Sequence, residues 1–468
     1  MFVLSILSLV AYLGLLVIVL RALSQGKLYF LLFYLVSFLP VYIVFLSFIY
    51  DNTDSLILIK FIQYSKEVVL IYGLALWFFG QNKSPIHKAW HLSLLDWLFI
   101  LFGTLSFIYM LLPLGEATFL AKVTYFKNIF LMCLVYLMGR QVKVSAFEWK
   151  CIFKIVYVIT ALAFVVVISE KLFGTHFHSL IGYAKYNLAI HDIEPTGNFG
   201  LKWTFEAQGG QPRYGSFFSN PLEFAASMLI VFSLAIIHLL SMQFNANRIM
   251  YIAIIFFTVV CVLLAYSRAT MVTFAITLTF MAFLLKYYKL LMGVALAVLS
   301  IVIYVWFFSP DETRYFVEDT ISFQNSSSIT HAIEWLEGVD SLVENPMGIG
   351  LAMSGNAGGV EDDLKVGGEN QFLIYGVQLG IIGMLIYLLM LAVGIAESWK
   401  AFRLARNREE QVVPFVAASV KFGLLLPLFT ANAEIYLYVS LVSWWLVGYS
   451  ETLCKTYMRQ KDQEIIQA

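Results

Sequence analysis

SPDETRYFVEDT (Ser309–Thr320), SSITHAIEWLEGVDSLVENPMGIG (Ser327–Gly350) and SGNAGGVEDDLKVGGENQFLIYG (Ser354–Gly376) make up the longest hydrophilic insert in a chain that is otherwise almost continuously apolar. Between Asp311 and Glu369, twelve carboxylates face only two basic residues, Arg314 and Lys365. Basic residues gather instead in the apolar runs on either side, so the insert reads as an acidic lid over a basic site. Within it Ala332, Trp335, Leu336, Val339 and Val343 recur at three- and four-residue spacing, which predicts a helix near 328–344 with one apolar stripe, lying along a membrane surface. Ser and Thr residues before it can cap its start, and Asn345-Pro346 ends it, because a residue before proline is pushed out of the α region. Gly367 and Gly368 then deliver Glu369 to the start of the next apolar helix, where the helix dipole favours a carboxylate.

Outward from the insert, composition sets the class. The 468 residues are 60% hydrophobic and 13% charged, with a mean hydropathy of +0.81, against about 45–50% apolar and about 25% charged in a soluble globule. Apolar runs long enough to cross a bilayer as helices recur at 2–20, 28–50, 56–80, 96–114, 117–139, 151–172, 216–240, 249–266, 269–285, 290–308, 372–397, 412–430 and 435–450. The expected fold is therefore an all-α polytopic integral membrane protein of about 12–14 transmembrane helices. It forms one domain (1–468) with a loop at 173–212 and a large lid loop at 309–371. The N-terminal run lacks a basic n-region and a small-residue cleavage site, and reads as a first span. Cys133, Cys151, Cys261 and Cys454 form neither a disulfide framework nor a metal-type spacing. The formal net charge is zero, so only its distribution is informative. Alternate short loops and the tail hold 18 of the 30 basic residues, from Arg21 to Lys461, whereas DNTDS (51–55) and ANAE (431–434) hold none. Because Lys and Arg resist translocation, these alternate loops are expected in the cytoplasm and both long loops outside it.

Ionisable residues inside spans are costly and usually pair, line a wet cavity or bind a charged ligand. Lys60, Lys66 and Glu67 fall in the third run, Lys122 and Lys127 in the fifth, Glu223 in the seventh and Lys421 in the twelfth. Snorkelling would account for Lys60 and Lys122, and mutual neutralisation for Lys66 and Glu67, as readily as a functional role would for any one of these lysines. Orientation also places Arg213, Arg268 and Glu369 at the same ends of three different spans. Bidentate arginine forks suit phosphate, and cations under an acidic lid make a seat for a lipid diphosphate.

Four pieces carry a family resemblance: QGGQPRYGSFFSNPLEFAASMLI (Gln208–Ile230), AYSRATMVTFAI (Ala265–Ile276), ENPMGIG (Glu344–Gly350) and GENQFLIYGVQLGIIGMLIYLLML (Gly368–Leu391). In this order, with a large loop before the last, they resemble the O-antigen ligase and polymerase superfamily. The resemblance implies a GT-C-like, metal-independent membrane glycosyltransferase without a cofactor. It further implies an undecaprenyl-diphosphate-linked glycan as donor, membrane lipid as surroundings, a chain-length regulator protein as a candidate partner, no nucleic acid, and the bacterial cytoplasmic membrane with the site facing outward. Arg213 matches the arginine of the RxG piece and Arg268 that of the SR piece, both expected to hold the diphosphate. Glu369 stands before Asn370 where ligases carry a histidine, which favours a polymerase with Glu369 as base. His331 occupies a lid position where relatives often have arginine. The expected site thus comprises Glu369, Arg213 and Arg268 as catalytic residues, with Lys122, Lys127, Lys421, Asn370 and His331 around the substrate. A ligase acting on a lipid or protein acceptor is the alternative, and a transporter of lipid-linked glycan is the second; the absence of a detectable repeat speaks against the transporter.

The charge distribution makes a direct prediction: a topology reporter fused after Asn356 reads extracytoplasmic and one after Arg406 cytoplasmic. The reverse pattern would overturn the orientation.

Overall fold

The computed structural model describes every residue except 1, 80–91, 208–209, 242–245, 311–313, 315–317, 319–325, 356–359, 361–363 and 468. Each of the thirteen apolar runs coincides with helix. In order these are α1 (Phe2–Ser24), α2 (Phe30–Phe38) joined through a 3-10 turn to α3 (Tyr42–Thr53), α4 (Leu56–Phe79), α5 (Leu94–Leu111), α6 (Phe119–Gln141) and α7 (Ala146–Phe173). Two short helices of the first long loop follow, α8 (Phe177–Leu180) and α9 (Tyr183–His191), then α10 (Pro221–Ser241), α11 (Ala246–Leu264), α12 (Arg268–Leu284) and α13 (Tyr288–Phe307). The lid helix α14 (Ser326–Glu344) precedes α15 (Gln371–Leu404), α16 (Arg408–Thr430) and α17 (Leu437–Gln467). Among the described residues, eight helices are long and apolar enough to cross a membrane, with Arg248–Leu264 and Arg268–Leu284 shorter. The fold is all-α and polytopic; the strands of the described residues are the two-residue pair β1 (Glu206–Ala207) and β2 (Gln211–Pro212).

Capping chemistry sets several boundaries that hydropathy misses. The sixth apolar run was expected from 151, but α7 starts at Ala146 because Ser145 and Glu148 form a capping box: Glu148 N–H donates to Ser145 Oγ (3.3 Å) and Ser145 N–H to Glu148 Oε2 (2.7 Å). Ser93 and Asp96 do the same for α5. At the centre of the bundle α17 crosses α6 with backbones in close approach. A Cβ on Gly139 would lie 2.2 Å from the Trp445 carbonyl oxygen, and one on Gly448 2.3 Å from that of Tyr136, the small-residue packing typical of helices in lipid.

The run expected as one uninterrupted span, 372–397, is two helical pieces. Gly380 has φ 73° and ψ 179° in the middle of α15, and the chain folds back there. Phe372 and Tyr387 are fifteen residues apart, about 22 Å along a straight helix, yet their rings lie 6.1 Å apart, and those of Tyr375 and Tyr387 4.6 Å. Residues 371–379 are therefore a half-helix that leans back against the long span 381–404.

A break at that depth strands carbonyl groups that lipid cannot satisfy. The ENPMGIG segment meets them: Ile349 N–H donates to Val377 O (2.8 Å), Gly350 N–H to Gln378 O (3.3 Å), and Ile381 N–H returns to Pro346 O (2.9 Å). At the other end Asn370 caps the half-helix, its Oδ1 accepting from Phe372 N–H (3.0 Å) and Leu373 N–H (3.2 Å).

The lid helix α14 packs beside this half-helix, with Gly338 against Leu373 and Leu342 against Gly376. Asn345 and Pro346 follow its last residue, as the sequence predicts. The face turned to the bundle carries His331, Glu334, Trp335, Gly338 and Leu342, while Ile329, Ile333, Leu336 and Val343 are exposed on the other side. Half of the lid's carboxylates, Asp311, Glu312, Asp319, Glu361, Asp362 and Asp363, lie outside the described residues, as does Asn356.

Gly380 is required twice over, by its left-handed backbone and by the Pro346 carbonyl oxygen 2.6 Å from where a Cβ would sit. Gly380→Ala is expected to cost roughly 1–3 kcal/mol of stability and lower the melting temperature of the detergent-solubilised chain. Gly14→Ala, in α1 with nothing within 4 Å of the new Cβ, is expected to melt at or above the wild type.

Candidate functional site

The first arginine is held by the β-hairpin. β1 pairs antiparallel with β2, Glu206 opposite Pro212, and Arg213 N–H continues the ladder to Phe205 O (2.8 Å). The next residue ties the hairpin to a second element: Tyr214 N–H donates to Leu264 O (3.1 Å) at the end of α11. Two residues after Leu264 the chain turns through Tyr266 at φ 49°. Ser267 then caps α12, accepting from Thr270 N–H (3.4 Å), so Arg268 is the first residue of the helix. One backbone hydrogen bond thereby brings the RxG and SR pieces together from opposite sides of a forty-residue helical hairpin.

The third component comes from the lid junction. Glu369 immediately precedes Asn370, the cap of the broken helix, and its carboxylate forms an ion pair with His331 of α14, Nδ1 against Oε2, both side chains roughly a third exposed. Trp335, one turn on, packs its ring 4.7 Å from that of Phe429 at the end of α16, which seats the lid on the bundle. Burial holds the Arg213 guanidinium below its ordinary value and the nearby charge of Arg268 adds to this, while Tyr436 and Glu369 act in the opposite direction. The charge of Arg213 also reaches His331. Arg213, Arg268, Glu369, His331, Glu334 and Tyr436 therefore share one electrostatic neighbourhood under the lid. Arg213 Nε is buried without a hydrogen-bond partner among the described residues, an orphaned cationic donor of the kind that an anion satisfies.

The three lysines expected around the substrate each have partners within the protein. Lys122 donates to the carbonyl oxygens of Leu112 (3.0 Å) and Leu114 (2.6 Å), closing the turn between α5 and α6. Lys127 pairs with Glu67 (3.2 Å), which also holds Lys66 at 3.1 Å, so the expected Lys66–Glu67 neutralisation extends to a third group. Lys421 is fully buried 3.6 Å above the Trp444 ring and 3.8 Å from Glu434. Glu434 accepts in turn from Tyr387 O–H (2.5 Å), from Trp444 Nε1–H (3.2 Å) and from Ser440. Asn370, expected as a substrate contact, spends its side-chain oxygen on the helix cap. Glu223 accepts from Tyr438 N–H (3.0 Å) at the start of α17.

Sequence reasoning missed Glu334 and Tyr436. Glu334 was one carboxylate among twelve, and no spacing rule separates it from its neighbours. Tyr436 follows ANAE, a loop read only for its lack of basic residues. A cavity of about 170 Å³ is lined by Gln371, Tyr125, Asn128, Tyr375, Asn432 and Glu434, among others.

Residues 252–388 match the family described as O-antigen ligase. The match spans Arg268, the lid with His331, the ENPMGIG segment and Glu369, and it bears out the resemblance to the O-antigen ligase and polymerase superfamily. Arg213 and its hairpin lie before it. No curated protein matches the chain.

The lid contact has a definite pH dependence. Burial acts to lower the His331 pKa, but the hydrogen bond and charge of Glu369 outweigh it, so the net displacement is upward from 6.5. Burial and the charge of Glu369 push the Glu334 carboxyl from 4.5 to about 7. Both groups bind protons more tightly with the lid closed. The Glu334 contribution is present below pH 4.5 and lost by about 7; that of His331 is present below 6.5 and lost above it, as the raised value is passed. A spin label at the exposed position Glu337, on a cysteine-free background, is expected to gain mobility as pH rises through this range, and His331→Gln to remove the limb above 6.5. A spectrum unchanged with pH would refute the assignment.

Proposed function

We propose that this chain, with an O-antigen ligase domain at its core, is a membrane glycosyltransferase that polymerises glycan repeat units carried on a polyprenyl diphosphate, working at the outward face of the bacterial cytoplasmic membrane. The observation that supports it is the pair Arg213 and Arg268, one with an unsatisfied buried Nε, beside a carboxylate at the start of a broken membrane helix.

In this reading the two guanidinium groups hold the donor's diphosphate, and the positive N-terminal end of the half-helix 371–379 adds to their field. The acceptor hydroxyl oxygen attacks the anomeric carbon of the donor. The carbon–oxygen bond to the diphosphate breaks, and the lipid diphosphate departs with the bonding pair, its growing charge met by groups already in place. Glu369 takes the hydroxyl proton as the new glycosidic bond forms. His331 orients that carboxylate from the lid, so lid closure and assembly of the base are one event. Fixed arginines supply the positive charge that such a leaving group requires. A glutamate where ligases of the superfamily carry histidine favours the polymerase over transfer to another carrier.

Glu369→Gln keeps size and most hydrogen bonding but removes the basic oxygen. Single-turnover elongation of purified lipid-linked repeat units is expected to fall by about 10²–10⁴, with donor affinity retained. Elongation near the wild-type rate would remove Glu369 as base. Arg268→Ala is expected to lose most donor binding and Arg268→Lys to restore little of it, since a point charge does not reproduce the planar fork. Products that grow by whole repeat units on the lipid carrier mark a polymerase; a single transfer to a different acceptor would mark the ligase instead.

A further inference from the structure

At the basic end of the bundle, away from the lid, α5, α6 and α17 enclose a groove of about 680 Å³, with Leu74 of α4 on its edge. That volume is within the range of about 300–1,000 Å³ typical of ligand pockets. Its bed is apolar: Phe99, Phe107, Phe126 and Phe130, with Ile100 and Leu137 among the others. Its mouth is different. Arg140, Lys455 and Arg459 meet there, with Gln141, Thr452 and Thr456 as neutral polar neighbours.

The charges at the mouth do not balance. Arg140 grips Asp96 with two bonds, Nε to Oδ1 (2.8 Å) and Nη2 to Oδ2 (2.5 Å), and its Nη1 donates to Thr452 (3.2 Å). Lys455 lies 3.5 Å from Asp96 and 3.8 Å from Glu451. Among the described residues, Arg140 and Lys455 thus share the carboxylates of Asp96 and Glu451, and Arg459, exposed at the rim, is a third cation in excess of them. On α6 the groove runs from Gln141 to Phe126, fifteen residues or about 22 Å. Half the hydrocarbon core is about 15 Å, so the groove has the length of one leaflet and its headgroup layer.

From this combination we propose that the groove is a binding site for an anionic glycerophospholipid, with an acyl chain on the aromatic bed and the phosphodiester at Arg459, Lys455 and Arg140. A free phosphate would leave the bed unused, and a zwitterionic lipid would bring a second cation to a mouth that already has one in excess. Basic pockets between helices at a membrane face recognise lipid headgroups by the same physics. The site stands independently of the reading of the lid region.

The test uses the purified full-length chain in detergent, with phosphatidylglycerol, phosphatidylcholine or inorganic phosphate added, read by lipid retention in native mass spectrometry and by thermal shift. Phosphatidylglycerol is expected to be retained about fivefold more tightly than phosphatidylcholine, the scale of one uncompensated charge near a membrane surface, and inorganic phosphate to have no effect. Arg459→Gln, on an exposed side chain that the fold does not need, is expected to abolish this preference. Gly103→Leu fills the bed, where a Cβ meets only Cys133 Sγ at 3.6 Å, and is expected to weaken retention of both lipids. Equal retention of the two lipids by the wild type, or an unchanged preference in Arg459→Gln, would overturn the proposal. So would stabilisation by inorganic phosphate with Gly103→Leu silent, and the Arg459 variant decides the matter even if Gly103→Leu fails to fold.

Discussion

Backbone amide and carbonyl groups cannot be left unpaired at membrane depth, and this constraint organises everything around Gly380. Breaking a helix there exposes several of them, each costing several kcal/mol in hydrocarbon. The chain can keep the break only because ENPMGIG returns to supply the Ile349 and Gly350 N–H groups to Val377 and Gln378. The lid helix enters that segment directly, so docking the loop also fixes α14 against residues 371–379. At the other end of the half-helix, Asn370 takes two N–H groups, which leaves Glu369 just outside the cap and free to face the lid. Position of the carboxylate, closure of the lid and satisfaction of the backbone are thus consequences of one break.

Charge is handled in two distinct ways in this bundle. Lys66 and Lys127 share Glu67, Lys421 meets Glu434, and Arg140 grips Asp96. Such buried pairs contribute little net stability, because desolvation consumes most of the Coulomb gain, but removing one partner is expensive. They fix how helices meet. Beneath the lid, two arginines from separate elements share a neighbourhood with Glu369, Glu334 and a histidine, and a buried donor of Arg213 has no protein acceptor among the described residues. A structural ion pair would satisfy that donor. A site for an anion leaves it open, because its partner arrives with the ligand.

The lid helix is amphipathic in an unusual sense. Its bundle-facing side carries His331, Glu334 and Trp335, and its exposed side Ile329, Ile333, Leu336 and Val343. In a soluble protein that arrangement would bury charge and expose hydrocarbon. At a bilayer surface it is favourable, since the outer stripe meets lipid while the polar face packs on the bundle. Lid opening would then expose the two inward titratable side chains to water while the stripe stayed in contact with the membrane.

Hydropathy period and length were enough to place helix at each of the thirteen apolar runs, because crossing a bilayer imposes a length and a polarity that any sequence must obey; among the described residues eight helices are long and apolar enough to cross a membrane. The amphipathic period and the Asn345-Pro346 stop likewise placed the lid helix, and arginines near the ends of apolar runs singled out Arg213 and Arg268, although Arg213 lies on the hairpin before α10 and not on a helix. Local chemistry of this kind is written residue by residue. What only the tertiary structure decided depends on which distant groups meet. Nothing in an apolar run containing one more glycine announces that the helix folds back, since the fold-back is stable only if ENPMGIG docks on it. Lys122, Lys127 and Lys421 look alike in sequence to lysines that bind a substrate, yet carbonyl groups of the α5–α6 turn and carboxylates from elsewhere in the fold meet them. His331 acquires its role from Glu369, thirty-eight residues away, because an ion pair is a property of packing, and packing across a loop of that length is invisible to any local pattern.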